Sequence, residues 1–272
     1  MLIMRIKVVL AVAAVFALFG SGKAFAQGDI GGGVLGPQQE SGFLIGPVGG
    51  INLIAYNSNA FPIINSEPTC FTAQNGSGVA PWGGLTAEFP LGSLMHNFIV
   101  AEILYDSRSA AFTANNGSIV TRPTKLNGVE AEGSVTTKLT ADLNYLLMNL
   151  AFKYNFTEGP SPVGPGLQVG PSVGIRLASK FNKTVTVTAS SGSSSNPSAS
   201  QTVTETSDVT SAQSIRIGIR AQFTYDIPFS QSWIATPTVG YDFPFSKVDT
   251  DRSWRAQGAY GGLAFRYFWK LF

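Results

Sequence analysis

Ile215, Ile217, Ile219, Ala221, Phe223 and Tyr225 alternate without interruption with Arg216, Gly218, Arg220, Gln222, Thr224 and Asp226. Side chains of a β-strand point to opposite faces with a period of two, so this run is a strand with one apolar and one charged face. The same alternation recurs where Leu167, Val169, Pro171, Val173, Ile175 and Leu177 interleave with Gln168, Gly170, Ser172, Gly174 and Arg176. Both runs have roughly the 9–11 residues that a tilted strand needs to cross a bilayer. A soluble barrel turns its apolar face inward. A barrel in lipid turns it outward and keeps the polar face for the lumen. Choosing between these two decides compartment, fold and most of the function.

The first 26 residues read as an export signal. Arg5 and Lys7 precede an apolar run over 8–19, and Ala24, Phe25 and Ala26 form a small-x-small cleavage site. Cleavage after Ala26 is expected, with a polar, Gly-rich lead-in over 27–42 and a barrel domain over 43–272. Removing Arg5, Lys7 and Lys23 leaves 15 of the 18 basic residues against 16 acidic ones. Such a balance offers nucleic acid no electrostatic attraction. Charged residues are 12% of the chain, against roughly 25% in an average protein. Beyond the signal no apolar run reaches the ~18 residues of a membrane helix. A bilayer-spanning form of this chain therefore has to be a closed barrel, since only helices and closed barrels satisfy their backbone hydrogen bonds in lipid.

Eight strands are predicted near 43–56, 81–91, 98–113, 134–156, 166–184, 211–227, 233–245 and 254–271. The connections alternate in length. Those near 57–80, 114–133 and 185–210 are long, while 92–97, 157–165 and 228–232 are tight, and 246–253 is intermediate. Long loops on one rim and short turns on the other are the rhythm of outer-membrane barrels. The expectation is an all-β, single closed antiparallel up-and-down transmembrane barrel of eight strands, with ten left open because a long loop can hold a hairpin. The Ser/Thr-rich stretch within 185–210 cannot bury enough apolar area to fold alone. In the 134–156 strand the apolar set moves from Leu139, Ala141, Leu143 and Tyr145 to Met148, Leu150, Phe152 and Tyr154. A β-bulge near 145–147 would restore the facing.

Carried through all strands, the alternation assigns a set of charges to the lumen. The acids are Glu88, Glu102, Asp106, Asp142, Asp226 and Asp242. The bases are Arg108, Lys138, Lys153, Arg176, Lys180, Arg216, Arg220 and Arg266. An eight-stranded barrel is just wide enough to fill with its own side chains, and charge in a dry interior is costly unless paired. A salt-bridged, plugged lumen is expected, with a narrow polar conduit as the alternative. Aromatic girdles are expected at both rims. Phe89, Phe98, Phe152, Tyr154, Phe223, Tyr225, Trp233, Tyr267 and Trp269 fall near the short turns. Tyr56, Trp82, Phe112, Phe181, Tyr241, Phe243 and Trp254 fall near the long loops.

Nothing in the sequence assembles a catalytic or cofactor site. His96 is the one histidine and falls in a tight turn on the predicted periplasmic rim, away from where a surface hydrolase would need an imidazole. Cys70 is the one cysteine, which excludes an intrachain disulfide. Asp249 and Asp251 are two acids without a third ligand nearby, read as solvated. No nucleotide-binding glycine motif opens a helix. No catalytic residue, metal or cofactor is expected.

The 134–156 strand carries Tyr145-Leu146 and ends in Lys153-Tyr154. After a Pro/Gly turn comes a strand holding Gly170-Pro171. This succession resembles the outer-membrane β-barrel domain family that includes the PorT-like proteins. Asn149 stands where the family often has proline. The resemblance implies an outer-membrane barrel and leaves the substrate open. The terminal Phe272 resembles the aromatic signal read by the barrel-insertion machinery, although Leu263, Phe265, Tyr267, Trp269 and Leu271 put it on the opposite parity. Expected partners are outer-membrane lipid, that machinery during biogenesis, and surface partners reached through 57–80, 114–133 and 185–210. Three functions follow: a structural or surface-interaction barrel, a narrow channel for small solutes, or a secreted soluble barrel that binds a ligand.

Overall fold

The structure, a computed structural model, describes residues 42–57, 61–62, 72–92, 96–114, 124–126, 129–131, 133–157, 163–189, 199–208, 213–248 and 255–270. The expected signal, most of the lead-in, Cys70, Asp249, Asp251, Trp254 and Phe272 lie outside them.

Eight antiparallel staves form the wall. They are β1 (Gly42–Asn57), β2 (Thr72–Leu91), β3 (Asn97–Ser107, resumed as Ala110–Ala114), β4 (Gly133–Asn155), β5 (Gly164–Ala189), β6 (Ala199–Asp208, resumed as Ile215–Pro228), β7 (Trp233–Pro244) and β8 (Arg255–Lys270). Each pairs with the next, and β8 closes onto β1 from Gly42↔Lys270 to Asn57↔Arg255. Closure at eight settles the strand number. Two short hairpin elements lie off the wall. Phe61–Pro62 pairs with the start of β2, and Thr124–Leu126 pairs with Val129–Ala131 as a separate two-stranded sheet.

The wall is inside-out relative to a soluble barrel. On β6, Ile217 is 49% exposed, while Arg216 and Arg220 are buried at 4% and 2%. Val173 on β5 is likewise exposed. These observations overturn the soluble ligand-binding alternative, which needs Ile217 and Val173 in a core. On β8, Leu263, Phe265, Tyr267 and Trp269 are exposed, and Ala264, Arg266 and Phe268 are buried. Three lapses in the hydrogen-bonded ladder coincide with prolines. The pairing skips Gly46-Pro47 opposite Phe265-Arg266, Gly170-Pro171 opposite Leu150-Ala151, and Thr236-Pro237 opposite Tyr225-Asp226. Proline has no N–H to give a ladder, so each leaves the wall locally unpaired.

Curvature is achieved by packing rings over glycines on the inner face. A Cβ on Gly262 would lie 2.5 Å from Trp82 Cζ2, and one on Gly240 would lie 2.5 Å from Tyr260 Cζ. Tyr260 and Gly240 are Cα partners, while Trp82 reaches Gly262 across its own partner Gly50. Glycine kinks covered by cross-strand aromatics are a known device for bending a small barrel.

The 134–156 region corrects the sequence reading. Leu139, Ala141, Leu143, Tyr145 and Leu147 all point inward, at 5% exposure or less, and Asn149 and Lys153 continue the same face. No parity slip exists on β4. The bulge is on β5 instead, where Leu177 has no partner between Tyr145↔Arg176 and Asn144↔Ala178. The apparent slip has a different cause. The outward residues of β4 are Tyr154, Phe152, Leu150, Met148 and Leu146, then Asn144, Asp142, Thr140 and Lys138. The wall leaves lipid between Leu146 and Asn144. Above that level water lies outside, so apolar residues return to the interior as in any soluble sheet. At 23 and 26 residues, β4 and β5 are about twice the length a bilayer requires.

The aromatic rows are sorted by the same parity. Trp233 meets Tyr267 at 5.2 Å between ring centroids, Tyr154 meets Phe156 at 5.4 Å, and Phe43 meets Phe89 at 5.5 Å, forming a girdle beside the short turns. Tyr241 and Phe243 meet with tilted rings, 4.5 Å between centroids, on the outer face toward the long loops. Phe98, Tyr56, Trp82 and Phe112 are lumen residues, not girdle residues as expected.

Candidate functional site in the barrel lumen

The even-numbered face of β6 and its equivalents meet in an interior organised in layers. Next to the short turns, four staves each contribute one charge: Glu88 from β2, Lys153 from β4, Asp226 from β6 and Arg266 from β8. Lys153 Nζ lies 2.7 Å from Asp226 and 3.1 Å from Glu88. Arg266 bridges the same two acids, with Nη2 2.5 Å from Asp226 and Nη1 paired to Glu88. Thr236 donates to Asp226 at 2.8 Å. Two cations and two anions thus form a neutral septum across the lumen. Leu44, Phe98, Val100, Ala151, Ile234 and Phe268 form an apolar cluster in the same part of the barrel, and Lys153 lies 5.5 Å from the Phe98 ring.

A second charged layer lies toward the long loops. Arg108 Nε is 2.9 Å from Asp106, and the same guanidinium pairs with Asp242. Arg216 Nη2 is 2.8 Å from Asp242, with Nη1 3.9 Å from Asp106. Asn52 donates to Asp106 at 2.7 Å, and the Tyr56 hydroxyl donates to the Arg108 carbonyl. Arg108 sits between the two segments of β3 and continues the inward, even-numbered face that runs from Phe98 to Phe112. Beyond this layer Ile54, Tyr56, Phe112, Leu139, Leu143, Val248 and their neighbours form an apolar cluster inside the long-loop rim.

Between the layers, Glu102 accepts from Asn149 at 2.8 Å and from Gln168 at 3.4 Å. Arg220 lies over the Tyr260 ring at 4.0 Å and over Trp82 at 5.5 Å, and Tyr260 donates to Gln222 at 3.1 Å.

Ten of the charges assigned to the lumen from sequence are buried there: Glu88, Glu102, Asp106, Arg108, Lys153, Arg216, Arg220, Asp226, Asp242 and Arg266. Arg176 is half-buried on the same face of β5. Lys138, Asp142 and Lys180 are corrected. Lys138 and Lys180 are exposed, and Asp142 accepts from Asn182 at 2.8 Å on the outer face. Their parity is the outward one on the part of β4 and β5 that stands above lipid. The amides and hydroxyls that complete the network, among them Asn52, Asn149, Gln168 and Thr236, were not anticipated. Their inward parity was available, but their roles depend on cross-lumen distances. His96 lies at the short-turn rim, stacked on Tyr154 at 6.5 Å. Among the described residues no group of His, Cys, Asp and Glu is arranged to hold a metal ion.

Residues 25–250 match the family described as outer membrane protein beta-barrel domain. The chain belongs to that family. It is an integral protein of the Gram-negative outer membrane, and its exposed apolar wall faces lipid. Solved outer-membrane barrels of this kind are similar in coarse form. The attachment invasion locus protein Ail of Yersinia pestis is 7% identical with a TM-score of 0.32, covering 82% of this chain and 97% of Ail. The outer membrane protein AlkL, solved in DMPC lipid bilayers, is 12% identical with a TM-score of 0.37, covering 89% of this chain and 96% of AlkL. OprG of Pseudomonas aeruginosa is 9% identical with a TM-score of 0.32, covering 86% of this chain and 99% of OprG. No curated protein matches the sequence.

Proposed function

We propose that this outer-membrane barrel is a closed anchor whose function is surface interaction, carried by the sheet and loops beyond the long-loop rim. The observation that supports this most is the projection of three staves past the lipid boundary. β4, β5 and the first segment of β6 stay paired out to Gly133↔Ala189 and Ala199↔Ala189. In this upper sheet, Ala199–Asp208 is paired only with β5 among the described residues. A strand edge carries a row of backbone donors and acceptors that can add another strand. The partner that fits is an extended segment of another surface protein, with the stretches 57–80 and 114–133 proposed as further points of contact. The two charged layers and the apolar cluster inside the rim favour a plugged lumen over a conduit. No enzymatic role is proposed. Within the family the PorT-like resemblance is retained as a proposal, as is recognition by the barrel-insertion machinery.

The test is photo-crosslinking on living cells, with a benzophenone amino acid at Thr204 or Thr206, two exposed outer positions. A discrete crosslinked species at these sites, absent when the label replaces lipid-facing Ile217, is expected. Equal labelling at all three positions would overturn the surface reading.

A further inference from the structure

The outward face of β7 runs through Trp233, Ala235, Pro237, Val239, Tyr241 and Phe243, and the chain past the strand continues it with Phe245 and Lys247. Phe243 and Phe245 are 48% and 59% exposed, while Val248 turns into the apolar cluster inside the rim. This stretch still lies along the wall. The Phe245 amide donates to the Ile217 carbonyl at 2.9 Å, and the Gln213 amide donates to the Val248 carbonyl at 2.8 Å. Lys247 is thus the first outward residue past the apolar band of this stave, and it is exposed. On neighbouring β8 the outward set passes from Leu263, Gly261 and Ala259 through Gln257 to exposed Arg255. The two staves are paired as far as Asp242↔Gly258, and Phe245 and Arg255 each lie three residues beyond that rung.

Two cations therefore stand at the lipid–water boundary of adjoining staves, next to exposed aromatic rings. The other side of the barrel is different. On β4 and β5 the first outward charges, Asp142 and Lys180, are Cα partners of opposite sign. Lys247 and Arg255 have no such counterpart among the described residues. The Cα partner of Arg255 on β1 is the uncharged Asn57, and the outward residues of β6 nearest Lys247 are Ile215 and Ile217. Neither cation makes an ion pair or side-chain hydrogen bond among the described residues. At this depth a basic side chain meets headgroups. Each Lys or Arg near a membrane surface favours an anionic headgroup, and a guanidinium takes two phosphate oxygens at once.

We propose that Lys247 and Arg255 hold the phosphate of an outer-leaflet lipid whose acyl chains lie against Phe243, Phe245 and Ile217. The ligand class is a glycolipid with a phosphate-bearing headgroup. Lys247 supplies a point charge on a flexible stem, Arg255 a planar fork of donors, and the exposed rings and isoleucine an apolar bed for the chains. The site fixes a lipid to the β7–β8 side of the barrel. It rests on the lipid-facing wall and does not depend on the surface role of the upper sheet.

The test uses the full barrel in dodecyl maltoside, titrated with diphosphorylated lipid A or its dephosphorylated form and read by native mass spectrometry. The phosphorylated form is expected to bind more tightly. Lys247→Gln and Arg255→Gln should each weaken it about fivefold, and the double variant about twenty-fivefold. Binding of the dephosphorylated form should not change. Lys138→Gln removes an exposed cation from the outer face of β4, well above the lipid boundary, and should leave both affinities unchanged. Both clamp positions are exposed, and heat-modifiable migration on gels checks that their variants are folded. Equal affinity of the native protein for the two forms would overturn the proposal. That is the result expected if Asp249 and Asp251, in the connecting stretch outside the described residues, neutralise the pair. An equal loss in Lys138→Gln would reduce the effect to general attraction, and displacement of the lipid by millimolar inorganic phosphate would assign the pair to a free anion. Either result would also overturn it.

Discussion

Lys153 and Asp226, from β4 and β6, meet across the lumen at 2.7 Å with neither side chain exposed to solvent. Breaking such a pair on one side leaves a bare charge in a dry interior, a loss of about 3–5 kcal/mol. Lys153→Met should therefore destabilise the barrel by about that amount in urea unfolding from lipid vesicles. Adding Asp226→Asn should recover part of the loss, because Arg266 then faces Glu88 alone as a balanced pair. A strictly additive double variant would show that the septum does not act as a unit.

The position of the outer lipid boundary on β4 gives a second expectation. Asp142 and Leu143 are sequence neighbours on opposite faces of a wall that stands in water on its outer side. Asp142→Cys should react on intact cells with a membrane-impermeant maleimide, and Leu143→Cys should not. Leu143→Asp should cost more than about 2 kcal/mol, while Asp142→Ala stays within about 0.5 kcal/mol. Unfolding midpoints of the two variants decide this.

The same stretch shows what a sequence can and cannot carry. Alternation over 215–226 and 167–177 was enough to put Ile217 and Arg216 on opposite faces, because parity is a property of the strand itself, and the export signal, the loop rhythm and the charged partner face turned Ile217 toward lipid. Strand positions and the long–short loop rhythm were legible for the same reason. Leu139, Leu143, Lys138 and Asp142 were misplaced because parity says which residues share a face, not which solvent that face meets, and Lys180 was misplaced because the bulge at Leu177 reverses the parity of β5 beyond Arg176. On β4 the surroundings change from lipid to water at Leu146 and Asn144 while the parity continues. The joining of Glu88, Lys153, Asp226 and Arg266 was beyond the sequence too. It depends on the stagger of eight staves and on reach across the lumen. Tyr56, Trp82 and Phe112 looked like rim aromatics, yet the ring of each turns inward.

Glycines on the inner face separate two outcomes. A Cβ on Gly262 would run into the Trp82 ring at 2.5 Å and the Gly49 carbonyl oxygen at 2.5 Å, whereas on Gly174 the nearest atoms are at 3.4–3.5 Å. Gly262→Ala should cost about 1–3 kcal/mol through overpacking, and Gly174→Ala should be tolerated within about 0.5 kcal/mol. Heat-modifiable migration on gels, scored against temperature, ranks the two.

Trp82 packs edge-on against Tyr260 at 5.7 Å, and Arg220 lies over both rings. Tyr260→Leu removes the closer ring of this arrangement. A loss of about 1–2 kcal/mol is expected, from cation–π and aromatic contact together. Tyr260→Phe keeps the ring but leaves Gln222 without its donor. It should fall between the native protein and Tyr260→Leu in equilibrium unfolding.

Conductance across a planar lipid bilayer tests the closed lumen most directly. With the septum of Glu88, Lys153, Asp226 and Arg266 on one side and the apolar cluster around Leu143 and Phe112 on the other, the native barrel should give no single-channel steps in molar salt. Opening the septum with Lys153→Ala and Arg266→Ala together should not produce steps either, because the upper layer and its apolar cover remain. Well-defined steps from the native protein, with ion selectivity that reverses in Arg216→Glu or Arg220→Glu, would contradict the account and establish a conduit.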